Sequence, residues 1–156
     1  MSTQPRSDAG TGIGSADCHR LVVPNSYSEL GRVSEWVRGF AREHSLGRQV
    51  AQGLELAVNE ALTNIMSYAY RDGARHDIVV ELRAQPDRIR VEVEDDGVPF
   101  NPLELPVEEP PESLEQSRPT GRGILLMRSF MDELHYVRRD GRNVLTMVLV
   151  LDGAGP

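Results

Sequence analysis

Lysine is absent from this chain of 156 residues, and all 17 of its basic residues are arginines. P-loop NTPases, the common protein-kinase fold and Schiff-base enzymes all depend on a lysine, so these mechanisms are excluded. Any nucleotide that binds here must therefore be held by backbone groups, acids, amides and arginines. The formal net charge of −7 argues against a nucleic-acid partner, because phosphate binding usually shows as a basic patch.

Cysteine and long apolar runs are also scarce. Cys18 is the single cysteine, so no disulfide can form within the chain. The longest apolar run, residues 144–151, is too short to span a bilayer, and the N-terminus lacks the apolar segment of a signal peptide. We therefore expect a cytoplasmic protein without a membrane partner. No zinc site is expected, since ligand spacing is missing from the four histidines, His19, His44, His76 and His135.

The chain is long enough for one domain with one hydrophobic core. Residues 1–19 are mostly small, polar and glycine-rich, which predicts a disordered N-terminal tail, and residues 20–152 form the predicted single domain. Six prolines and many acids lie from Pro99 to Pro119, so neither a helix nor a central strand is expected there. A loop of this length inside a compact domain is usually functional or disordered.

The remaining pattern predicts the order strand, helix, helix, two strands, long loop, helix, two strands. Ser26 and Glu29 have the spacing of a capping box for the first helix, and Asp140-Gly141 marks a hairpin turn between the last two strands. Grouped strands with interspersed helices favour an α+β fold. We predict a two-layer α/β sandwich in which helices cover one face of a mixed sheet.

Glu60 and Asn64 interrupt the predicted second helix, which otherwise carries a broad apolar stripe. They are four residues apart and therefore share one face of that helix. Such a pair is most often part of a surface that faces water. In the functional interpretation, the carboxylate takes part in a proton transfer and the amide oxygen binds a Mg²⁺ ion.

Asp95 ends a predicted strand, and Gly97 follows it. Aspartate and glycine commonly mark turns, so an ordinary exit from the strand explains this pair equally well. The functional interpretation is a carboxylate that accepts a hydrogen bond from an exocyclic amine. Gly97 would then let a flat ring lie against the backbone.

Gly121 and Gly123 open the predicted third helix. They indicate either a flexible helix entry or a phosphate site, because a helix N-terminus presents free N–H groups and a positive dipole end. The neighbouring Arg118 and Arg122 favour phosphate, since guanidinium groups bind it in bidentate fashion.

The order of these motifs resembles the GHKL ATPase superfamily, whose Bergerat fold binds ATP without a P-loop. The shared pattern is E-x-x-x-N on a helix, D-x-G-x-P at a strand end, a long loop, and G-x-G at a helix start. Within this superfamily, the chain looks most like the anti-sigma-factor serine kinases of bacterial partner-switching modules. The segments that carry this resemblance are NEALTNIMSYAY, VEDDGVPFNP and GRGILLMRSFMDELHY.

The resemblance implies a role for each candidate residue. Asn64 would give its amide oxygen to a Mg²⁺ ion that bridges the ATP phosphates, and Glu60 would act as general base for the attacking hydroxyl. Asp95 would accept a hydrogen bond from the adenine amino group, and residues 101–120 would form the ATP lid. The other expected nucleotide-binding residues are Tyr68, Gly97, Arg118, Gly121, Arg122, Gly123 and Ile124.

One position departs from the family pattern. Many members place a threonine just after the glycine of the last hairpin, where it supports adenine, and here that position is Arg142. Adenine anchoring is therefore expected to depend more on Asp95 and a water molecule.

The implied function is ATP-dependent phosphorylation of a serine or threonine on a small antagonist protein, coupled to sequestration of a sigma factor, by a homodimer. The alternative is a non-catalytic ATP-binding module that regulates its partners by binding alone. Glu60 argues against this alternative, because a pure binding module needs no base there. A sensor histidine kinase would need a phosphoacceptor helix, and a topoisomerase or chaperone ATPase would need a further domain.

Overall fold

The computed structural model describes residues 17–105 and 122–151. Within them, three α-helices and five strands alternate in the order β1–α1–α2–β2–β3–α3–β4–β5. The strands are β1 Cys18–Pro24, β2 Asp77–Ala84, β3 Arg88–Asp95, β4 Glu133–Arg139 and β5 Arg142–Val150. The helices are α1 Leu30–Glu43, α2 Arg48–Tyr68 and α3 Arg122–Phe130.

The five strands form one sheet in the order β1-β2-β3-β5-β4. This confirms the predicted α+β fold, but the sheet is antiparallel at every pairing rather than mixed. Two of the pairings are tight hairpins, which are antiparallel by construction. The connection between β1 and β2 runs through α1 and α2, and it also brings strands of opposite direction side by side. The connection between β3 and β4 includes α3 and joins two strands that β5 separates.

One face of the sheet packs on the helices and supplies half of the core. The inward residues alternate along each strand, as the period of two requires, and Val80, Val91 and Met147 are fully buried. The opposite face carries charged residues interspersed with valines, and it includes ion pairs such as Arg142–Glu94, whose closest nitrogen and oxygen atoms are 3.5 Å apart. The core therefore lies in a single layer between the sheet and α1, α2 and α3.

Helix α2 is the central support of this layer. Its apolar stripe is buried along most of its length, and the members are Leu54, Ala57, Val58, Ala61, Leu62 and Ile65. Burying a large aliphatic side chain contributes about 1.5–3 kcal/mol, so this stripe fixes the rotation of α2. That rotation determines where its polar residues point.

Local sequence signals explain two of the boundaries. Asp140 and Gly141 both have positive φ, at 53° and 76°, which is the geometry of the predicted two-residue hairpin turn. The predicted capping box is wrong: Ser26 makes no side-chain cap, and its Oγ lies 2.8 Å from Ser28 Oγ. A 3₁₀ turn over Tyr27–Glu29 precedes α1 instead, so the α-helix starts later than the spacing indicated.

No helix within residues 17–105 and 122–151 is both long and apolar enough to cross a membrane. The predicted lid, residues 101–120, falls outside the described residues from residue 106 onward.

Candidate active site

Glu60 and Asn64 lie on the side of α2 that faces the beginning of α3. Asn64 is 2% exposed, and Glu60 is partly buried. Gly123, in the first turn of α3, lies directly against both side chains: a Cβ atom added there would collide with Glu60 Oε2 and lie 3.7 Å from Asn64 Nδ2. The structure therefore brings together residues that sequence reasoning selected from two separate motifs, and we call this group the Glu60 end.

The carboxyl of Glu60 is electrostatically unusual. Burial raises its pKa above the ordinary value of 4.5, because the low-dielectric surroundings disfavour the charged form. A carboxylate with a raised pKa holds a proton more strongly and is a better general base near neutral pH.

Asn64 has a buried polar atom that nothing in the described structure satisfies. Its Nδ2 atom lacks a hydrogen-bond partner there, and an unsatisfied buried polar group costs about 1–3 kcal/mol. Rotation of an amide group by 180° exchanges its nitrogen and oxygen, so a rotated Asn64 would present its oxygen at the same place. Either orientation leaves an amide atom ready for a ligand.

Asp95 occupies the end of β3 and is 1% exposed. Its Oδ1 atom accepts hydrogen bonds from the Gly97 backbone nitrogen and from Asn143 Nδ2, both at 2.9 Å. Burial raises the pKa of Asp95, and these two hydrogen bonds offset part of the rise. Both bonds fall on the same oxygen, so in the described part of the chain Oδ2 is left as an acceptor.

Asn143 is the residue that sequence reasoning missed. Its amide donates to Asp95 and, at 2.8 Å, to the carbonyl of Val98. Its Oδ1 atom accepts from the Phe100 backbone nitrogen, from the Tyr136 hydroxyl and from the guanidinium of Arg138.

Arg138 also donates to the Gly97 carbonyl at 2.8 Å, so it fixes the same turn from the other side. We call Asp95, Gly97, Arg138 and Asn143 the Asp95 corner.

Arg142, which stands at the position of the family's threonine, lies away from the Asp95 corner in the structure. Arg142 points to the charged outer face of the sheet, where it pairs with Glu94. Its neighbour Asn143 is opposite Asp95 in the β3–β5 register and supplies the supporting hydrogen bond. The signal was available in the sequence: Leu145, Met147 and Leu149 alternate on the core face, and the same alternation places Asn143 inward.

Gly97 packs closely against the C-terminal end of α2. A Cβ atom added there would collide with the Ala69 carbonyl oxygen and lie 2.7 Å from Ala69 Cβ. The next residue, Val98, donates its backbone N–H to the same carbonyl at 2.8 Å. This close packing explains the need for glycine; a flat ring against its backbone stays a prediction.

Among the other predicted site residues, the structure describes Tyr68 and Ile124. Tyr68 stacks on Phe100, with ring centroids 5.2 Å apart, beside the Asp95 corner. The side chain of Ile124 is 2% exposed and belongs to the core, so only its backbone can meet a ligand. The remaining predicted residues, Arg118 and Gly121, and the side chain of Arg122 lie outside the described residues.

Helix α2 connects the two groups. Glu60 lies nine residues before Ala69, the residue that contacts Gly97, which corresponds to about 13 Å along a helix axis. An extended nucleoside triphosphate covers a span of this size.

Known proteins resemble this chain in both sequence and fold. Residues 23–149 match the sequence model of the family described as the histidine kinase-like ATPase domain. The chain belongs to this family, which confirms the resemblance to GHKL ATPases.

Within the family, the chain is 33% identical over 112 residues to the serine/threonine-protein kinase BtrW of Bordetella bronchiseptica, covering 72% of this chain and 79% of that protein. It is 29% identical over 130 residues to the serine-protein kinase RsbW of Listeria innocua, covering 81% and 82%. The serine-protein kinase RsbW of Bacillus subtilis is 27% identical over 142 residues, covering 88% of each chain.

A solved structure, the RsbU and RsbW domains of Rv1364c from Mycobacterium tuberculosis, superposes with a TM-score of 0.59 at 15% identity. The match covers 85% of this chain and 33% of the other, and at this identity it shows the fold.

Proposed function

We propose that this chain is a serine/threonine protein kinase that transfers the γ-phosphoryl group of ATP to a hydroxyl of a partner protein. The named relatives are protein kinases, which supports the activity. The observation that carries the proposal is the position of Glu60: a carboxylate with a raised pKa lies beside the N-terminus of α3, one turn from a buried, ligand-ready amide.

Glu60 is the general base of the proposed reaction. The serine or threonine hydroxyl of the partner gives its proton to the carboxylate as its oxygen attacks the γ-phosphorus, and ADP leaves. A base in this position contributes about 10²–10⁴-fold in rate. The rest of the acceleration comes from positioning and charge neutralisation, which dominate phosphoryl transfer.

The two ends of the site divide the binding of ATP between them. Asp95 accepts a hydrogen bond from the exocyclic amine of adenine through Oδ2, while Asn143 and the Gly97 backbone hold the carboxylate in place. Tyr68 and Phe100 flank this corner with apolar ring surface. The free N–H groups of the first turn of α3, including those of Gly123 and Ile124, bind the phosphates.

The residues present also fit a Mg²⁺ ion, because amide and carboxylate oxygens and phosphates are its usual ligands. Asn64 would hold it, since its buried amide lacks a partner within the described structure. When bound, the ion neutralises charge on the phosphates. Arg118, Gly121 and Arg122 complete the phosphate site in this proposal, and residues 101–120 form the lid.

The proposed cellular role is that of an anti-sigma regulatory kinase. The relatives named RsbW support this role. The chain would phosphorylate a small antagonist protein in the cytoplasm and would sequester a sigma factor as a homodimer.

The test is transfer of radiolabel from [γ-³²P]ATP to the antagonist that co-purifies with the chain. Glu60→Gln should lower transfer by about 10²-fold or more, while ATP affinity, measured by calorimetry, stays close to that of the wild type. The matched control is Glu55→Gln: Glu55 is on the same helix but pairs with Arg38, 3.0 Å away, and should not affect transfer.

Equal transfer by wild type and Glu60→Gln would remove the base role. A wild-type protein that binds ATP and its antagonist without phosphorylating it would instead identify a non-catalytic binding module.

A further inference from the structure

A second cluster of side chains, whose atoms could bind a metal ion, lies where β1 begins and α1 ends. It comprises Asp17, His19, Glu43 and His44, and none of these residues belongs to the Glu60 end or the Asp95 corner. We propose that this cluster, which we call the β1–α1 cluster, is a binding site for one divalent transition-metal ion of the zinc type. The spacing of the histidines predicted no zinc site, because 23 residues lie between His19 and Glu43 along the chain.

The spacing of the ligand atoms carries the proposal. His19 Nε2 lies 3.4 Å from Glu43 Oε2, and His44 Nε2 lies 3.7 Å from Asp17 Oδ1. Ligand atoms of His19, Glu43 and His44 all lie within 4.8 Å of one another. With metal–ligand distances near 2.1 Å, neighbouring ligands of a tetrahedral ion are about 3.4 Å apart. The 3.4 Å separation already has that value, and the 3.7 Å separation is close to it. Among His19, Glu43 and His44, no separation needs to close by more than about 1.4 Å.

The ring of His44 is already oriented for coordination. Its Nδ1 atom lies 2.9 Å from the Phe40 carbonyl oxygen, so Nδ1 carries the proton and donates to that carbonyl. The lone pair is then on Nε2, the atom that faces Asp17. Histidines that bind metals usually donate their other ring nitrogen to a carbonyl or carboxylate in this way, which fixes the tautomer.

Aromatic packing holds the two imidazoles in place. The ring of Phe40 lies edge-on to His19 at 5.1 Å and tilted against His44 at 4.3 Å, between ring centroids. The histidine side chains are 28% and 17% exposed, whereas those of Glu43 and Asp17 are 61% and 52% exposed. The nitrogen ligands are therefore preorganised, while the carboxylates can swing inward as an ion enters from solvent.

The ligand types select the class of metal. Two imidazoles with two carboxylates suit Zn²⁺ and its first-row neighbours, whereas Mg²⁺ prefers oxygen ligands and retains water. Two carboxylates also balance the charge of a divalent ion. A bound ion would join the first residues of β1 to the last residues of α1, so it would stabilise the folded protein in proportion to its occupancy.

The experiment uses the full chain without a polyhistidine tag and without nucleotide. Titration with ZnCl₂ in a calorimeter should give one ion per chain, and the melting temperature should rise in excess Zn²⁺ but not in equal Mg²⁺. Titration with Co²⁺ should produce visible absorption bands of a tetrahedral complex. His19→Gln/His44→Gln should weaken Zn²⁺ binding by at least about 100-fold, since it removes both nitrogen ligands.

Two further variants keep the result interpretable. Glu43→Gln changes an exposed side chain, so the variant should stay folded. It should weaken Zn²⁺ binding at least about tenfold. His135→Gln removes a histidine that is 66% exposed and pairs with Glu133 on β4; it should bind Zn²⁺ like the wild type. Absence of stoichiometric Zn²⁺ binding would show that the cluster forms ordinary ion pairs only. Binding that survives the double substitution would place the ion elsewhere, and either result overturns the proposal.

Discussion

The two ends of the proposed nucleotide site are built in opposite ways. At the Asp95 corner, the amide of Asn143 makes five hydrogen bonds, and Asp95, Gly97 and Arg138 are tied into the same network. At the Glu60 end, Asn64 Nδ2 is buried without a partner in the described structure, and the carboxyl of Glu60 is desolvated. At the Asp95 corner, the protein itself supplies the hydrogen-bond partners. At the Glu60 end, the described residues leave a buried polar atom without a partner.

In the proposed function, this difference separates binding of the nucleotide base from phosphoryl transfer. A hydrogen-bonded carboxylate that cannot rotate offers a fixed acceptor, so selectivity for a base comes from preorganisation. A desolvated base and an unsatisfied amide are costly in the free protein, and strain of this kind concentrates at functional sites. The Glu60 end should therefore gain more from bound ligand than the Asp95 corner does, and the following substitutions test the contrast.

The largest effect is expected for Gly123→Ala at the Glu60 end. The new methyl group would occupy the place of Glu60 Oε2, so either the carboxylate or α3 must move. A displacement of about 1 Å at a reacting group can cost about 10²-fold in rate, so we expect phosphoryl transfer to fall by about that factor. The measurement is radiolabel transfer under saturating ATP.

Gly31→Ala is the matched control for this substitution. Gly31 is also helical, but a Cβ atom added there meets nothing within 4 Å. Its transfer rate should equal that of the wild type, and its stability should rise by up to about 1 kcal/mol. Unchanged transfer in Gly123→Ala would mean that the contact with Glu60 does not matter for the reaction.

The next effect is expected for Asn143→Ala at the Asp95 corner. Truncation leaves the buried carboxylate of Asp95 and several backbone groups without partners, at a cost of about 2–4 kcal/mol in the free energy of unfolding. ATP affinity should fall at least about tenfold, because the acceptor is no longer fixed. Chemical denaturation and calorimetry measure the two effects.

Arg142→Ala, one residue earlier on β5, provides the comparison. It removes an exposed ion pair with Glu94 and should cost less than about 1 kcal/mol, with no change in ATP affinity. If Arg142→Ala weakened ATP binding more than Asn143→Ala, the assignment of the supporting role to Asn143 would be wrong.

A smaller effect is expected on the stability of Glu60→Gln. Because the pKa of Glu60 is raised in the folded protein, its contribution to the free energy of unfolding is fully present below 4.5 and is lost as pH rises through the folded pKa. The variant lacks this loss. Its stability relative to the wild type should therefore increase from pH 4 to pH 8 in denaturant titrations at each pH. A constant difference would contradict the raised pKa.

The smallest effect concerns the loop that borders the Asp95 corner. Asp72, and to a lesser extent Asp96, raise the pKa of His76 above 6.5 through hydrogen bonds. The stabilisation is present below that value and is lost as pH rises through the folded pKa. Hydrogen exchange in residues 70–77 should therefore become faster at higher pH than the intrinsic rate predicts. NMR titration of wild type and Asp72→Asn should show a lower His76 pKa in the variant.

Sequence reasoning predicted the architecture because each element carries its own local signal. The apolar stripe of α2 and the Asp140-Gly141 turn specify a helix and a hairpin without reference to the rest of the chain. Strand pairing carries no such signal, and the antiparallel order was missed. The predicted capping box was wrong for a related reason: Tyr27–Glu29 form a short 3₁₀ turn in its place.

The residues of the candidate site could be predicted where they belong to a sequence motif. They could not be predicted where tertiary packing determines which side chains meet. The Glu60–Asn64 pair and Gly123 were selected from two separate motifs, and the structure places them together. Asn143 was missed because the family pattern points to the neighbouring position, Arg142. A shift of one residue along a strand exchanges the two faces of the sheet. The encounter of His19 with His44 depends on how β1 packs beside α1, which no local pattern encodes.

The position of β5 has a consequence for biosynthesis. It is the last strand of the described fold, yet it lies between β3 and β4, and it carries the asparagine that holds Asp95. Because a chain emerges from the ribosome N-terminus first, the edge of β3 stays unpaired, and open to wrong partners, until β5 has been translated. The Asp95 corner is therefore assembled only after β5 has been translated, and the ability to bind ATP should appear abruptly at that point.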